Sequence, residues 1–213
     1  MQVIWSTCNC SGCPPGNEAS ARLDTLASTP ARRPVGISAR RARVAGAWRP
    51  DPDNGNHPWI IDGTLIPVHD QSITAISKNS RRSVNTQIII ICSYRRRVVV
   101  AGQCWPGNRD DVIVARHTVA HLLDGRVVLG DGGYRGIRSI TTPRRDQTGH
   151  IIRDHHYQTH RRIRARVEHV IARLKDWQIL RQCRRRGDAI NHSLQIVAGL
   201  WNLKIRNQLR VNS

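Results

Sequence analysis

Trp59-Ile60-Ile61-Asp62-Gly63-Thr64-Leu65-Ile66-Pro67-Val68 is an apolar run interrupted by a single acid. β-Branched residues dominate it, and Pro67 cannot donate to a ladder, so the pattern predicts a short strand that ends near the proline. An acid inside an apolar strand is expensive to ionise unless a cation meets it. Asp62 is therefore the residue around which the rest of the chain is read.

Outward from this strand, Val84 to Cys92 contains Ile88-Ile89-Ile90-Ile91, the signature of a strand covered on both faces. Arg95-Arg96-Arg97 breaks the pattern before Val98-Val99-Val100-Ala101, so these two strands are expected to form a hairpin. Pro106-Gly107-Asn108-Arg109 reads as a turn, with Asp110 or Asp111 capping a helix that runs through Leu123. Val127-Val128-Leu129 predicts another strand, which leads into Gly130-Asp131-Gly132-Gly133-Tyr134. Residues 155–175 read as a long basic helix. A last helix, about Ile190 to Ile205, puts Ile190, Leu194, Val197 and Trp201 on one face. The order β-β-β-α-β-loop-α-α predicts an α/β fold, a mixed sheet flanked by helices with the acids at one end. Residues 56–213 would form this domain. Residues 1–55, rich in proline, small residues and arginine, read as a basic arm of low order.

An apolar fraction of 39% is enough for a core, although Phe is absent. The formal charge of +19 goes far beyond what solubility needs and points to a polyanionic partner. Duplex nucleic acid fits best, because guanidinium groups pair with phosphate in two-pronged geometry. No apolar run is long enough to span a membrane and no secretory signal follows Met1, so the expectation is a cytoplasmic, nucleoid-associated protein with no membrane partner. Cys8, Cys10 and Cys13 have a spacing that suits zinc but lack a fourth ligand, and read as no metal site. Cys92, Cys104 and Cys183 read as ordinary thiols of a reducing compartment.

Three acids stand out. Asp62 lies in its strand, Asp131 follows the Val127–Leu129 strand between glycines, and Glu168 lies in the basic helix. Three converging carboxylates suit Mg²⁺ or Mn²⁺, which prefer oxygen ligands. Two such ions clamp a phosphodiester, one activating the nucleophile and the other steadying the leaving oxygen. Arg164, Glu168 and Lys175 are spaced i, i+4 and i+11 and fall near one helix face. Residues 161–186 hold ten basic and two acidic side chains, so Arg161, Arg164, Lys175, Arg184, Arg185 and Arg186 are read as phosphate contacts.

From about Trp59 to Leu203 the chain resembles the DDE-type insertion-sequence transposases, whose core is ribonuclease-H-like. Asp62-Gly-Thr-Leu-Ile-Pro67 is similar to the family's first-aspartate strand, and Pro106-Gly-Asn-Arg-Asp-Asp111 to its Pro-Gly turn ending in Asp. Gly130-Asp131-Gly-Gly-Tyr134 resembles the second-aspartate motif. Arg164-x3-Glu168-x6-Lys175 matches the third-acid signature with both gaps. The resemblance implies Asp62, Asp131 and Glu168 as catalytic metal ligands for two Mg²⁺ or Mn²⁺ ions. It also implies double-stranded DNA, as element ends and target, and a second copy of the chain as partners. The reaction expected is cleavage followed by attack of the freed 3′-hydroxyl on target DNA.

Two departures are visible. The Tyr that the family places three residues before the Arg is Arg161 here. The residues before Trp59 do not read as the helical DNA-binding region that members carry there, which reads as a truncated or frame-altered copy. Other readings are a metal nuclease without transposition, or a non-catalytic DNA-binding remnant. Asp111 competes for the second-acid role, but a helix cap suits it better, because Asp131 fits its motif more fully. His155, His156 and His160 read as surface residues, Trp177 and Trp201 as core.

Overall fold

The computed structural model describes residues 57–211, Asn79 and Tyr94 apart. The N-terminal arm and its cysteines lie outside the described residues.

Strand β1 (Trp59–Pro67) pairs antiparallel along its whole length with β3 (Arg82–Ile91), from Trp59 opposite Ile91 to Pro67 opposite Ser83. The far edge of β3 is shared by three short strands. β2 (Ala75–Ile76) pairs at its start, β5 (Trp105–Pro106) at Val84–Asn85, and β4 (Val98–Ala101) at Ile88–Ile90. The expected β3–β4 hairpin is present, with a register shift between Ile89 and Ile90. The other edge of β1 takes β6 (Val128–Leu129) in parallel, and β6 takes β7 (Ile140–Thr141) in parallel. The main path therefore runs β2-β3-β1-β6-β7.

Alternation along β1 and β3 sorts side chains to two cores. Ile60, Ile66, Val84 and Ile88 pack under α2 (His155–Lys175), α3 (Gln178–Arg181) and α4 (Ala189–Val211). Ile61, Ile89 and Ile91 face the other way, with Ala115 of α1 (Asp111–Thr118), Leu123 and Tyr134. Fully burying an isoleucine stabilises by about 1.5–3 kcal/mol, so a one-residue slip of either strand would exchange the two cores at great expense. This is the α/β mixed sheet flanked by helices that the pattern predicts. Among the described residues no helix is long and apolar enough to cross a membrane.

Three local expectations need correction. The helix after the Pro-Gly turn stops at Thr118 rather than running to Leu123. Val119 leaves helical dihedrals (φ −132°) to seat a fully buried side chain, and a 3-10 turn, Ala120–Leu122, follows. Neither Asp110 nor Asp111 caps α1 through its side chain; Asp110 holds the N-cap position by backbone alone. Trp177 is not core but 45% exposed. It sits in extended backbone at the α2–α3 corner, where Leu174 and Leu180 fill the interior instead.

Candidate active site

Asp62 stands in the middle of β1, opposite Ile88 on β3. On the other edge, Leu129 of β6 pairs with Ile60 in parallel register. Two residues further along each chain come Asp131 and Asp62, so the ladder brings the second acid level with the first. β6 has by then ended, and Asp131 turns into a 3-10 segment, Gly132–Tyr134, with its Oδ1 accepting from the Gly133 N–H at 2.7 Å. The flanking glycines are steric requirements. A Cβ on Gly130 would fall 2.6 Å from Ile140 Cγ2, and one on Gly133 would fall 2.9 Å from Asp131 Oδ1.

The third acid arrives from α2. Asp154 caps this helix by accepting from the Tyr157 N–H at 2.8 Å, and also pairs with Arg144. Three turns on, Arg164 lies with one guanidinium nitrogen 3.5 Å from Asp62 Oδ1 and 3.5 Å from Glu168 Oε1. One mostly buried cation thus joins the strand acid to the helix acid, while its Nε has no partner among the described residues. Lys175, half-buried on the same face, is held below the usual ammonium range by burial, with Asp62 close enough to oppose that shift.

Burial pushes the Asp62 carboxyl up to about 6. The charges of Asp131, Glu168 and Asp111 push it the same way, and Arg164 opposes them. The four acids therefore share one electrostatic neighbourhood, in which Arg164 is the main compensating charge on Asp62. Among the described residues no three acid, histidine or cysteine side chains are drawn together into a ready ion cage. The donors are oxygens throughout, which matches the preference of Mg²⁺ or Mn²⁺.

Of the residues singled out in the sequence, Asp62 and Glu168 share Arg164, while Asp131 and Lys175 lie within electrostatic reach of Asp62. Arg161 lies exposed nearly one turn before Arg164. Arg184, Arg185 and Arg186 are exposed on the loop after α3, which is stitched to the far end of β1. There Cys183 N–H donates to Pro67 O, and His69 N–H to Cys183 O, both at 2.9 Å. At about 3.3 Å per residue the Pro67 end is roughly 17 Å along the strand from Asp62. A groove of about 560 Å³ at that end is flanked by Arg81, Arg82 and Arg181. Sequence reasoning assigned Arg81 and Arg82 no role, although the doublet was visible.

Sequence reasoning also missed a polar network on the α1 side of the sheet. Asn85 and Gln87 interrupt the apolar pattern of β3 and are 4% and 0% exposed. Asn85 Nδ2 donates to Asp111 Oδ1 at 2.8 Å, and Gln87 Nε2 reaches the same oxygen at 3.4 Å. The hydroxyl of fully buried Tyr134 donates to Gln87 Oε1. Polar residues at alternate positions of an otherwise apolar strand were the available signal.

An antiparallel pair extended by parallel strands, with acids on its central strand, at the end of the next strand and on a helix packed against it, defines an α/β fold with an acid-bearing edge. Residues 58–203 match the family model described as the transposase DDE domain, and the chain belongs to that family. It is 39% identical over 151 residues to the transposase assigned to insertion sequence element IS112 of Streptomyces albus G. The match covers 68% of this chain and 58% of that relative's length. No solved structure matches.

Proposed function

We propose that this chain is the catalytic domain of an insertion-sequence transposase that cleaves and rejoins DNA phosphodiesters, with Asp62, Asp131 and Glu168 holding Mg²⁺ or Mn²⁺, two ions in all. The observation that carries this reading is the parallel register of β1 and β6, which levels Asp131 with Asp62 beside the Arg164–Glu168 pair of α2. The donor set supports the ions: all-oxygen ligands with an excess of negative charge suit hard divalent cations. Bound there, such ions supply Lewis-acid stabilisation of the phosphoryl oxygens and make water or a 3′-hydroxyl a better nucleophile at neutral pH.

The chain's own side chains supply the remainder. Arg164 would hold a non-bridging phosphate oxygen, and Lys175 would add a second charge on the same face. Arg161 and Arg184, Arg185 and Arg186 extend the positive surface along α2 and to the far end of β1. That surface suits double-stranded DNA, element end and target, bound by more than one copy of the chain.

The test is an oligonucleotide assay carrying the element's end sequence, with and without Mg²⁺. Wild type is expected to cut and join only with the metal, and Asp131→Ala to lose at least about 100-fold in rate. Cutting without joining would reduce the reading to a nuclease. Salt-sensitive DNA binding with no cutting would overturn it in favour of a non-catalytic remnant.

A further inference from the structure

We propose that Asp111 is a fourth carboxylate of this reaction centre, approaching it from the α1 side of the sheet beside Gly63. The inference rests on the ion-binding reading of Asp62, Asp131 and Glu168 and adds to it a residue outside that triad.

Asp111 begins α1, yet its side chain does not serve the helix. Its Oδ1 is gripped by two buried amides, Asn85 Nδ2 and Gln87 Nε2. Placing two primary amides among the isoleucines of β3 is unfavourable unless their hydrogen bonds are met, and here the bonds are directed. Tyr134 donates its hydroxyl to Gln87 Oε1, which leaves the NH₂ end of that amide to face Asn85 Oδ1 and Asp111. Asn85 divides its own NH₂ between Asp111 and the Arg109 carbonyl oxygen at 2.9 Å. The orientation of one carboxylate is thus dictated from the tyrosine of the second-acid motif, through two amides, across the sheet.

The same carboxylate lies against the backbone next to Asp62. A Cβ on Gly63 would stand 2.1 Å from Asp111 Oδ1, so glycine follows Asp62 because Asp111 occupies the place of its side chain. Alternation points residue 63 toward α1 and residue 62 toward α2. Among the described residues the β6-side edge of β1 has no strand partner from Ile61 to Ile66, so groups from the two faces can converge there. Asp111 makes no ion pair among the described residues, although Lys78 and Arg109 line the same open groove of about 300 Å³. A carboxylate fixed by amides, kept from lysine and arginine and set beside further acids gains its compensating charge from a cation that enters.

The experiment is Mn²⁺ titration of the full chain without DNA, by calorimetry and by the electron paramagnetic resonance signal of free Mn²⁺. It compares wild type with Asp111→Asn, Asp62→Asn and Asp131→Asn, each with a thermal midpoint. Asparagine keeps an acceptor for the two amides and removes the charge. Asp111→Asn is expected to fold with an unchanged or higher midpoint and to bind Mn²⁺ about tenfold more weakly or worse. Tyr134→Phe, which frees the Gln87 amide to turn, is expected to weaken Mn²⁺ by about threefold; it carries the test should Asp111→Asn not fold. If Asp62→Asn and Asp131→Asn lose Mn²⁺ while Asp111→Asn and Tyr134→Phe bind as wild type, Asp111 is structural and the inference is wrong. If none of the three Asp-to-Asn changes alters Mn²⁺ binding, the ion-binding reading itself fails, and this inference with it.

Discussion

Replacing Asp62 by asparagine should make the metal-free protein more stable. Burial, reinforced by three neighbouring acids and opposed by Arg164, raises this carboxyl from 3.8 to about 6. At 18% exposure the side chain is little screened by solvent. A rise of roughly two pH units corresponds to about 3 kcal/mol of strain borne by the ionised folded state. The sign follows from proton counting. Between about pH 4 and 6 the folded chain keeps a proton that the unfolded chain has released, so stability falls as pH rises through that window and stays low above it. Asparagine imitates the neutral acid and escapes the loss. Thermal unfolding in a chelator at about pH 8 should show Asp62→Asn melting about 6–12 °C above wild type, the gap closing toward pH 4. Added Mg²⁺ should raise the wild-type midpoint and leave the variant unmoved. Equal midpoints at both pH values, or a variant that melts lower at pH 8, would refute the electrostatic account of the site.

Two further outcomes follow from the geometry. Gly63→Ala forces a methyl onto Asp111 Oδ1 and should lower stability by about 1–3 kcal/mol in urea unfolding; combining it with Asp111→Ala should restore most of that loss. Exchanging Arg184, Arg185 and Arg186 together for glutamine should leave the circular dichroism unchanged and make the dependence of log affinity for DNA on log salt shallower by about 0.9 for each phosphate that is no longer neutralised. An unchanged slope would remove the loop from the DNA path.

Most of the sheet was legible because its strands obey simple patterns. The isoleucine run of β3 and the apolar frame of Asp62 are strong signals, and the 21-residue helix α2 has a sharp Asp154 cap. β2, β5 and β7 were not legible, since two-residue strands exist through their partners and leave no periodicity of their own. Trp177 was misplaced because helical spacing cannot show that the chain turns a corner one residue after Asp176. The acids stand out in the sequence through their motifs, whereas Asp111 reads there as a cap. A helix start and a carboxylate fixed by Asn85 and Gln87 read alike until the strand carrying those amides is laid beside it.

The parallel ladder that aligns β6 with β1 spans two residue pairs. Those pairs join segments sixty-nine positions apart, and Glu168 lies thirty-seven positions beyond Asp131. A gene interrupted between codons 107 and 168 would therefore still encode the antiparallel strands while losing Glu168 together with the end of the basic helix α2.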